Sequence, residues 1–124
     1  MSSMKKILIV DDEPNIVMSL EYTFKKNNFE VFIARDGQEA LDLLTQQLPD
    51  VIILDVMMPM VDGFATLKQI KSSGRHKNCK VIFLSAKNNE SDIQRGLSLG
   101  ANLYMTKPFS IKKLLEQVNS LLTE

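Results

Sequence analysis

One cysteine, one histidine, no excess of either charge and no long apolar run set the first limits on this chain. With Cys79 alone, no internal disulfide is possible, and a reducing compartment is expected. No apolar segment approaches the roughly 20 residues that span a bilayer. The opening Met1-Ser2-Ser3-Met4-Lys5-Lys6 leads into too short an apolar stretch for a secretory signal, so a cytoplasmic location is expected. Balanced charge, 15 basic against 15 acidic residues, argues against a nucleic-acid surface, which would need a basic excess. There is no Gly-rich phosphate loop, no dinucleotide fingerprint, no repeat and no linker. The one histidine, His76, lies in the polar stretch Gly74-Arg75-His76-Lys77-Asn78 and is expected on a surface loop.

What is present is regular. The 124 residues, 44% hydrophobic and 24% charged, suffice for one domain with its own core, spanning residues 1–124. Apolar runs alternate with helical patterns along the whole length. Ile7 to Val10 reads as a strand, followed by a helix capped by Asp12 with Pro14 in its first turn and Ile16, Leu20 and Phe24 inward. A short strand at 31–33 precedes a helix opened by Asp36-Gly37, with Ala40, Leu41, Leu44 and Leu48 inward and Pro49 as its stop. Val51 to Leu54 is apolar without alternation, as a strand buried on both faces requires. Pro59 and Gly63 punctuate the next loop, before a helix from about 64 to 72. A strand headed by Cys79, a small buried filler, leads to a helix at about 91–99 stopped by Gly100. A strand at 103–105 and a final helix capped by Ser110 complete five βα units. Parallel strands with right-handed crossovers put helices on both faces, a doubly wound α/β sandwich. Strand order does not follow from this pattern, but a switch point must exist, and the acids after strands one and three suggest that those strands flank it.

The polar residues that close these runs share a logic. Asp11-Asp12, Asp55, Ser85 and Lys107 each follow an apolar strand, so a parallel sheet delivers them to one edge, where such folds bind ligands. Three converging carboxylates repel one another unless a cation intervenes, and an all-oxygen set suits magnesium rather than zinc. Asp55 is a plausible nucleophile toward phosphorus, forming an acyl phosphate, with Lys107 and Ser85 meeting phosphoryl oxygens. Such catalysis would be positioning and electrostatics with no dedicated general base. Taken singly, each residue has an ordinary role: Asp12 a helix cap, Asp55 a soluble loop, Lys107 a solvated charge, Ser85 a turn hydroxyl. Their joint placement favours the site.

Asp11-Asp12, Asp55 with Met57-Met58-Pro59-Met60-Val61-Asp62-Gly63, Ser85-Ala86, Gly100-Ala101 and Lys107-Pro108-Phe109 together resemble the receiver domain of bacterial two-component response regulators, over essentially all of the chain from Lys5 to Leu122. The resemblance implies a flavodoxin-like sheet in the order 2-1-3-4-5. It implies that Asp55 accepts a phosphoryl group from the phosphohistidine of a sensor kinase or histidine phosphotransfer protein. Asp12, Asp55 and the backbone carbonyl of Met57 would bind magnesium, with Asp11 acting through water. Ser85 and Lys107 would contact the phosphoryl group, Lys107-Pro108 would be cis, and Tyr104 would be the aromatic switch, moving as Ser85 moves. Such a protein is a phosphoacceptor that assists its own phosphorylation and dephosphorylation rather than an enzyme with a separate substrate. Its partners are the phosphodonor and an effector or output domain, and the chain reads equally as a stand-alone receiver or as part of a longer regulator.

Some positions depart from common receiver patterns. Ser85 replaces a commoner threonine, and Asn102-Leu103 replaces acids that serve dimer contacts in the DNA-binding winged-helix subfamily. Met57 and Lys87 stand where receivers tune attack by water, and an apolar Met57 is expected to lengthen the phosphoryl lifetime. Asn15, Met18 and Tyr22 form an outer stripe on the first helix, either a docking face for a kinase helix or scattered surface residues. Met58 and Met60 are expected to pack within their loop. Three rivals stand beside this reading. A phosphatase of the haloacid dehalogenase type would want a second Asp where Met57 stands. A flavodoxin-like carrier would want a phosphate loop where Asp11-Asp12-Glu13 would repel it. A degenerate receiver would bind partners without taking phosphate, although every pocket residue is present.

Overall fold

The structure is a computed structural model that describes residues 4–58 and 62–123, so Pro59, Met60 and Val61 of the loop motif lie outside the described residues. Strands and helices alternate as β1 (Lys5–Val10), α1 (Pro14–Lys26), β2 (Phe29–Ala34), α2 (Gly37–Leu44), β3 (Val51–Leu54), α3 (Gly63–Ser72), β4 (Lys80–Ser85), α4 (Glu90–Ser98), β5 (Leu103–Thr106) and α5 (Ile111–Leu122). All pairings are parallel and the sheet runs β2-β1-β3-β4-β5, the flavodoxin-like order. The register sets Val10 level with Ala34 on one side and Leu54 on the other, and Ser85 level with Thr106. The strand ends therefore form a common rim.

Period-two alternation divides the apolar residues between two cores. Leu8, Val10, Ile52, Leu54, Val81 and Phe83 face one layer with Ala40 and Leu44 of α2 and Phe64, Leu67 and Ile70 of α3. Ile7, Ile9, Val51, Ile53, Ile82 and Leu84 face the other, against Leu20 and Phe24 of α1 and Leu114, Val118 and Leu121 of α5. The central strands are buried on both faces, which is why their sequences run apolar without a polar break. Helix α4 is the exception, burying only Gly96. It meets the sheet at that glycine, which lies close against the rings of Phe83 and Tyr104.

Four helices are capped by a side chain accepting a backbone N–H: Asp36 from Glu39, Asp62 from Ala65, Asn89 from Asp92 and Ser110 from Lys113. Helix α1 is not. Its cap residue is Glu13, with no side-chain cap bond, so Asp12 does not serve as the cap its sequence position suggested. The acids ahead of α1 are left for other work. On the inward face of α1, Leu20 and Phe24 are buried as expected, Val17 joins them, and Ile16 is partly buried against the same core.

Two further expectations are corrected. Helix α2 ends at Leu44, well before Pro49, and Leu48 is 52% exposed rather than inward. His76 is 5% exposed and not on the surface. The two corrections share a cause. The carbonyls at the end of α2 lack helical partners, and they are met from the segment after α3: Arg75 Nη1 donates to Thr45 O at 2.8 Å, and His76 Nε2 to Leu44 O at 2.9 Å. The stretch is otherwise exposed as expected, and His76 alone turns inward to the end of the helix. Strand β2 is longer than its apolar run, and α4 begins at Glu90 with Asn89 as cap, one residue earlier than the pattern placed it. Cys79 is buried immediately before β4, and burial pushes its thiol up to about 12, consistent with an inert filler.

Candidate phosphoryl site at the sheet rim

Main-chain pairing continues one residue past the strands and fixes the site residues in place. The N–H of Asp11 donates to Ala34 O at 3.1 Å, that of Asp55 to Val10 O at 3.0 Å, and that of Lys107 to Ser85 O at 2.8 Å. Each functional side chain is thus anchored by the sheet itself, the most rigid support available in the fold. Asp11 and Asp55 are each 3% exposed and Ser85 is fully buried, whereas Asp12 points outward and is exposed.

The two buried carboxylates are held alike. Asp11 Oδ1 accepts the N–H of Glu13 at 2.9 Å, and Asp55 Oδ1 accepts the N–H of Met57 at 3.1 Å. Their second oxygens both turn to the Lys107 ammonium, at 3.1 Å for Asp11 and 3.3 Å for Asp55. Glu13 completes the cluster, its Oε1 2.8 Å from Lys107 Nζ. One cation therefore serves three acids. Burial raises the Asp55 carboxyl to about 6, and the neighbouring Asp11 adds to the rise against the opposing pull of Lys107 and the Met57 N–H. Asp11 is raised as well, again chiefly by burial. Burial disfavours the Lys107 ammonium, yet hydrogen bonds to Glu13 and Asp11 and the charge of Asp55 hold it protonated well above the usual lysine range.

Asp11, Asp12 and Asp55 each offer a carboxylate oxygen within 4.8 Å of the others. The set has no nitrogen or sulfur donor, which suits a hard divalent ion such as magnesium. Burial is the chief cause that raises both carboxyls, and a bound cation would favour their ionised forms. The residues fit the ion.

Ser85 reaches the rim, but its hydroxyl meets neither Asp55 nor Lys107; Oγ accepts the N–H of Lys87 at 3.1 Å. Tyr104 is half-buried, packs on Phe83 with ring centroids 5.8 Å apart, and donates its hydroxyl to Lys87 O at 2.8 Å. Met57 is exposed at the mouth of a groove of about 470 Å³ that also reaches Asp12 and Lys87. The Lys107-Pro108 bond is cis. Met18 and Tyr22 are exposed on α1, and Asn15 and Ile16 of the same helix line an apolar hollow of about 300 Å³ with Pro108 and Phe109. Met58 is partly buried against the core beside α3. Asn102 is occupied at the start of β4, where its Oδ1 accepts the Val81 N–H at 2.9 Å and its own N–H donates to Val81 O at 2.8 Å.

Two site residues went unassigned in sequence. In sequence Glu13 stands out only as part of an acidic run, and its contact with a lysine 94 positions away carries no local signature. Gly63 was read as punctuation, yet its N–H donates to Val56 O at 2.9 Å, and a Cβ there would lie 2.8 Å from Val56 Cα. Only glycine lets α3 start this close behind the acceptor.

The profile of the family described as the response regulator receiver domain matches residues 7–119. The chain is 42% identical over 118 residues to the alkaline phosphatase synthesis transcriptional regulatory protein PhoP of Bacillus subtilis (strain 168). That match takes in 95% of this chain and 48% of the relative, so the chain spans about half the length of that protein. Among solved structures, the receiver domain of Francisella response regulator 1452 superposes with a TM-score of 0.89 at 38% identity, covering 96% of this chain and 97% of that one. Chemotaxis protein CheY4 of Vibrio cholerae gives 0.90 at 32% identity, covering 96% and 99%.

Proposed function

The chain belongs to the response regulator receiver domain family of two-component signal transduction, and on that premise we propose that Asp55 is its phosphoacceptor, taking the group from the phosphohistidine of a sensor kinase or phosphotransfer protein. Residues 1–124 act as one receiver in this reading, and the phosphatase and flavin-carrier alternatives fall away with the family. The observation that carries it is the meeting of Asp11, Asp55 and the Lys107 ammonium within 3.3 Å at the rim, with Asp12 alongside.

An Asp55 carboxylate oxygen forms the new P–O bond as the P–N bond of the phosphohistidine breaks, and the departing imidazole takes up a proton. Lys107 pairs with a phosphoryl oxygen, and Ser85 turns its hydroxyl from the Lys87 N–H toward another. Asp12, Asp55 and the main-chain carbonyl of Met57 would hold magnesium, with Asp11 joined through water. Bound there, the ion would offset the repulsion among the carboxylates and the charge of the incoming group. The sheet-anchored geometry supplies the positioning that such a reaction chiefly requires. Met57, apolar and exposed at the groove, shields the acyl phosphate from water and lengthens its lifetime.

The apolar hollow beside Asn15, with Met18 and Tyr22 on the same helix, is the docking face for the phosphodonor. The readout is the face formed by α4, β5 and α5, where the slight burial of α4 leaves room for a second packing. It is presented to an effector or an output domain. The relative's name, a transcriptional regulatory protein, supports transcription as the process controlled.

The test is incubation with magnesium and acetyl phosphate or phosphoramidate, read by intact mass. Wild type should gain one phosphoryl group and Asp55→Asn none. A wild type that gains nothing would make the chain a degenerate receiver.

A further inference from the structure

We propose that Glu13 regulates this same site as an exchange partner for Lys107, holding the ammonium before phosphorylation and yielding it afterwards. The inference rests on Asp55 as phosphoacceptor and goes beyond it, since Glu13 is neither the acceptor nor a member of the carboxylate group suited to magnesium.

A lysine ammonium has three N–H bonds to give, and in this structure all three have carboxylate takers: Glu13 at 2.8 Å, Asp11 at 3.1 Å and Asp55 at 3.3 Å. A phosphoryl group on Asp55 replaces one carboxylate charge with a dianion bearing three acceptor oxygens. Any additional bond from Lys107 to it must be withdrawn from Asp11 or Glu13. The two differ in what withdrawal leaves behind. Asp11 is buried and would reach magnesium only through water, so withdrawing Lys107 leaves a desolvated charge less well compensated. The Glu13 side chain is 56% exposed, so water replaces the lost contact. Glu13 is the partner released at low cost.

Its shortest contact nevertheless favours the unphosphorylated arrangement. Glu13 therefore competes with the phosphoryl group for Lys107, and the competition depends on reach as well as charge. The Glu13 main-chain N–H is independently engaged by Asp11, so replacing the side chain leaves that turn bonded.

The experiment uses the full chain with magnesium and beryllofluoride, titrated by calorimetry or fluorine NMR. Glu13→Gln should bind the phosphoryl mimic about two- to fivefold more tightly than wild type, the range of an exposed ion pair. Glu13→Asp decides the cause, because it keeps the negative charge on a side chain one methylene shorter. Behaviour like Glu13→Gln supports exchange through the Lys107 contact. Behaviour like wild type overturns it, since simple repulsion then accounts for the gain. Unchanged or weaker binding in Glu13→Gln also overturns it. If wild type binds no mimic, or Asp55→Asn binds it equally, the acceptor assignment itself fails and the exchange fails with it.

Discussion

Ser85 and Tyr104 both bond Lys87 and also interact directly: the N–H of Lys87 donates to Ser85 Oγ at 3.1 Å, the carbonyl of Lys87 accepts the Tyr104 hydroxyl at 2.8 Å, and the Ser85 hydroxyl opposes the burial that raises the Tyr104 phenol. A serine that turns toward a phosphoryl oxygen abandons the Lys87 N–H. The segment carrying Lys87 then loses its anchor, and the tyrosine loses a fixed acceptor. The two bonds give a short contiguous route by which the proposed rearrangement at the rim would reach the α4–β5 face, and Tyr104→Phe tests it.

Tyr104→Phe removes one end of that connection while keeping the ring on Phe83. The hydroxyl bond is partly solvated, so its loss should cost the resting packing about 0.5–1 kcal/mol. In an otherwise unmodified protein, the amide resonance of Lys87 should move part of the way toward its position with beryllofluoride bound. A Lys87 amide that keeps its wild-type shift in the variant would show that the two side chains are not coupled through this residue.

The raised Asp55 carboxyl sets a pH dependence on stability. Its folded value of about 6 lies above the ordinary 3.8, so between those values the native state binds more protons than the unfolded chain. Stability contributed by this group is therefore full below the lower value and falls as pH rises through the window. The loss is on the order of 3 kcal/mol in the metal-free protein. Urea titrations in EDTA across that window should show Asp55→Asn losing less stability with rising pH than wild type. Magnesium should restore wild type at neutral pH. Equal slopes in the two proteins would mean that the carboxyl is not raised.

Much of this site was legible because its residues are closers of apolar runs. Asp11, Asp55 and Lys107 each stand one position beyond a strand and Ser85 is the last residue of β4, and parallel topology alone carries them to one rim. Glu13 and Gly63 have no such marker. The role of Glu13 depends on a lysine from the far end of the chain, and that of Gly63 on how closely two backbones approach. His76 was misplaced for a related reason. Polar neighbours suggested solvent, whereas the open carbonyl at the end of α2 drew the ring inward. Leu48 shows the converse, a helical spacing extrapolated past the end of α2 at Leu44.

His76→Phe tests that terminus. Phenylalanine fills a similar space but cannot donate to Leu44 O, which would be left buried without its 2.9 Å partner. The expected cost is about 1–3 kcal/mol, seen as a lower urea midpoint with an unchanged slope. Phosphorylation of the folded protein should be unaffected, because the ring lies against the end of α2 and not at the rim. A midpoint equal to wild type would show that water serves the carbonyl equally well.

Gly63→Ala tests how closely the acceptor is enclosed. The added Cβ would meet Val56 Cα at 2.8 Å and the Asp55 carbonyl carbon at 2.9 Å, both main-chain atoms that no side-chain rotation can move aside. Among the described residues Gly63 is not one of the positive-φ glycines, so the constraint is space rather than backbone conformation. Either α3 shifts outward or the Asp55 segment is pushed from its place beside Val10, at a cost of about 1–3 kcal/mol. Asp62→Ala is the control, since it removes the cap of the same helix for about 1 kcal/mol without intruding on Asp55. Phosphorylation by phosphoramidate should fall at least about tenfold in Gly63→Ala, as misplaced reacting groups imply, and stay near wild type in Asp62→Ala. Equal rates in the two folded variants would mean that Asp55 tolerates displacement and that the close approach of α3 serves packing alone.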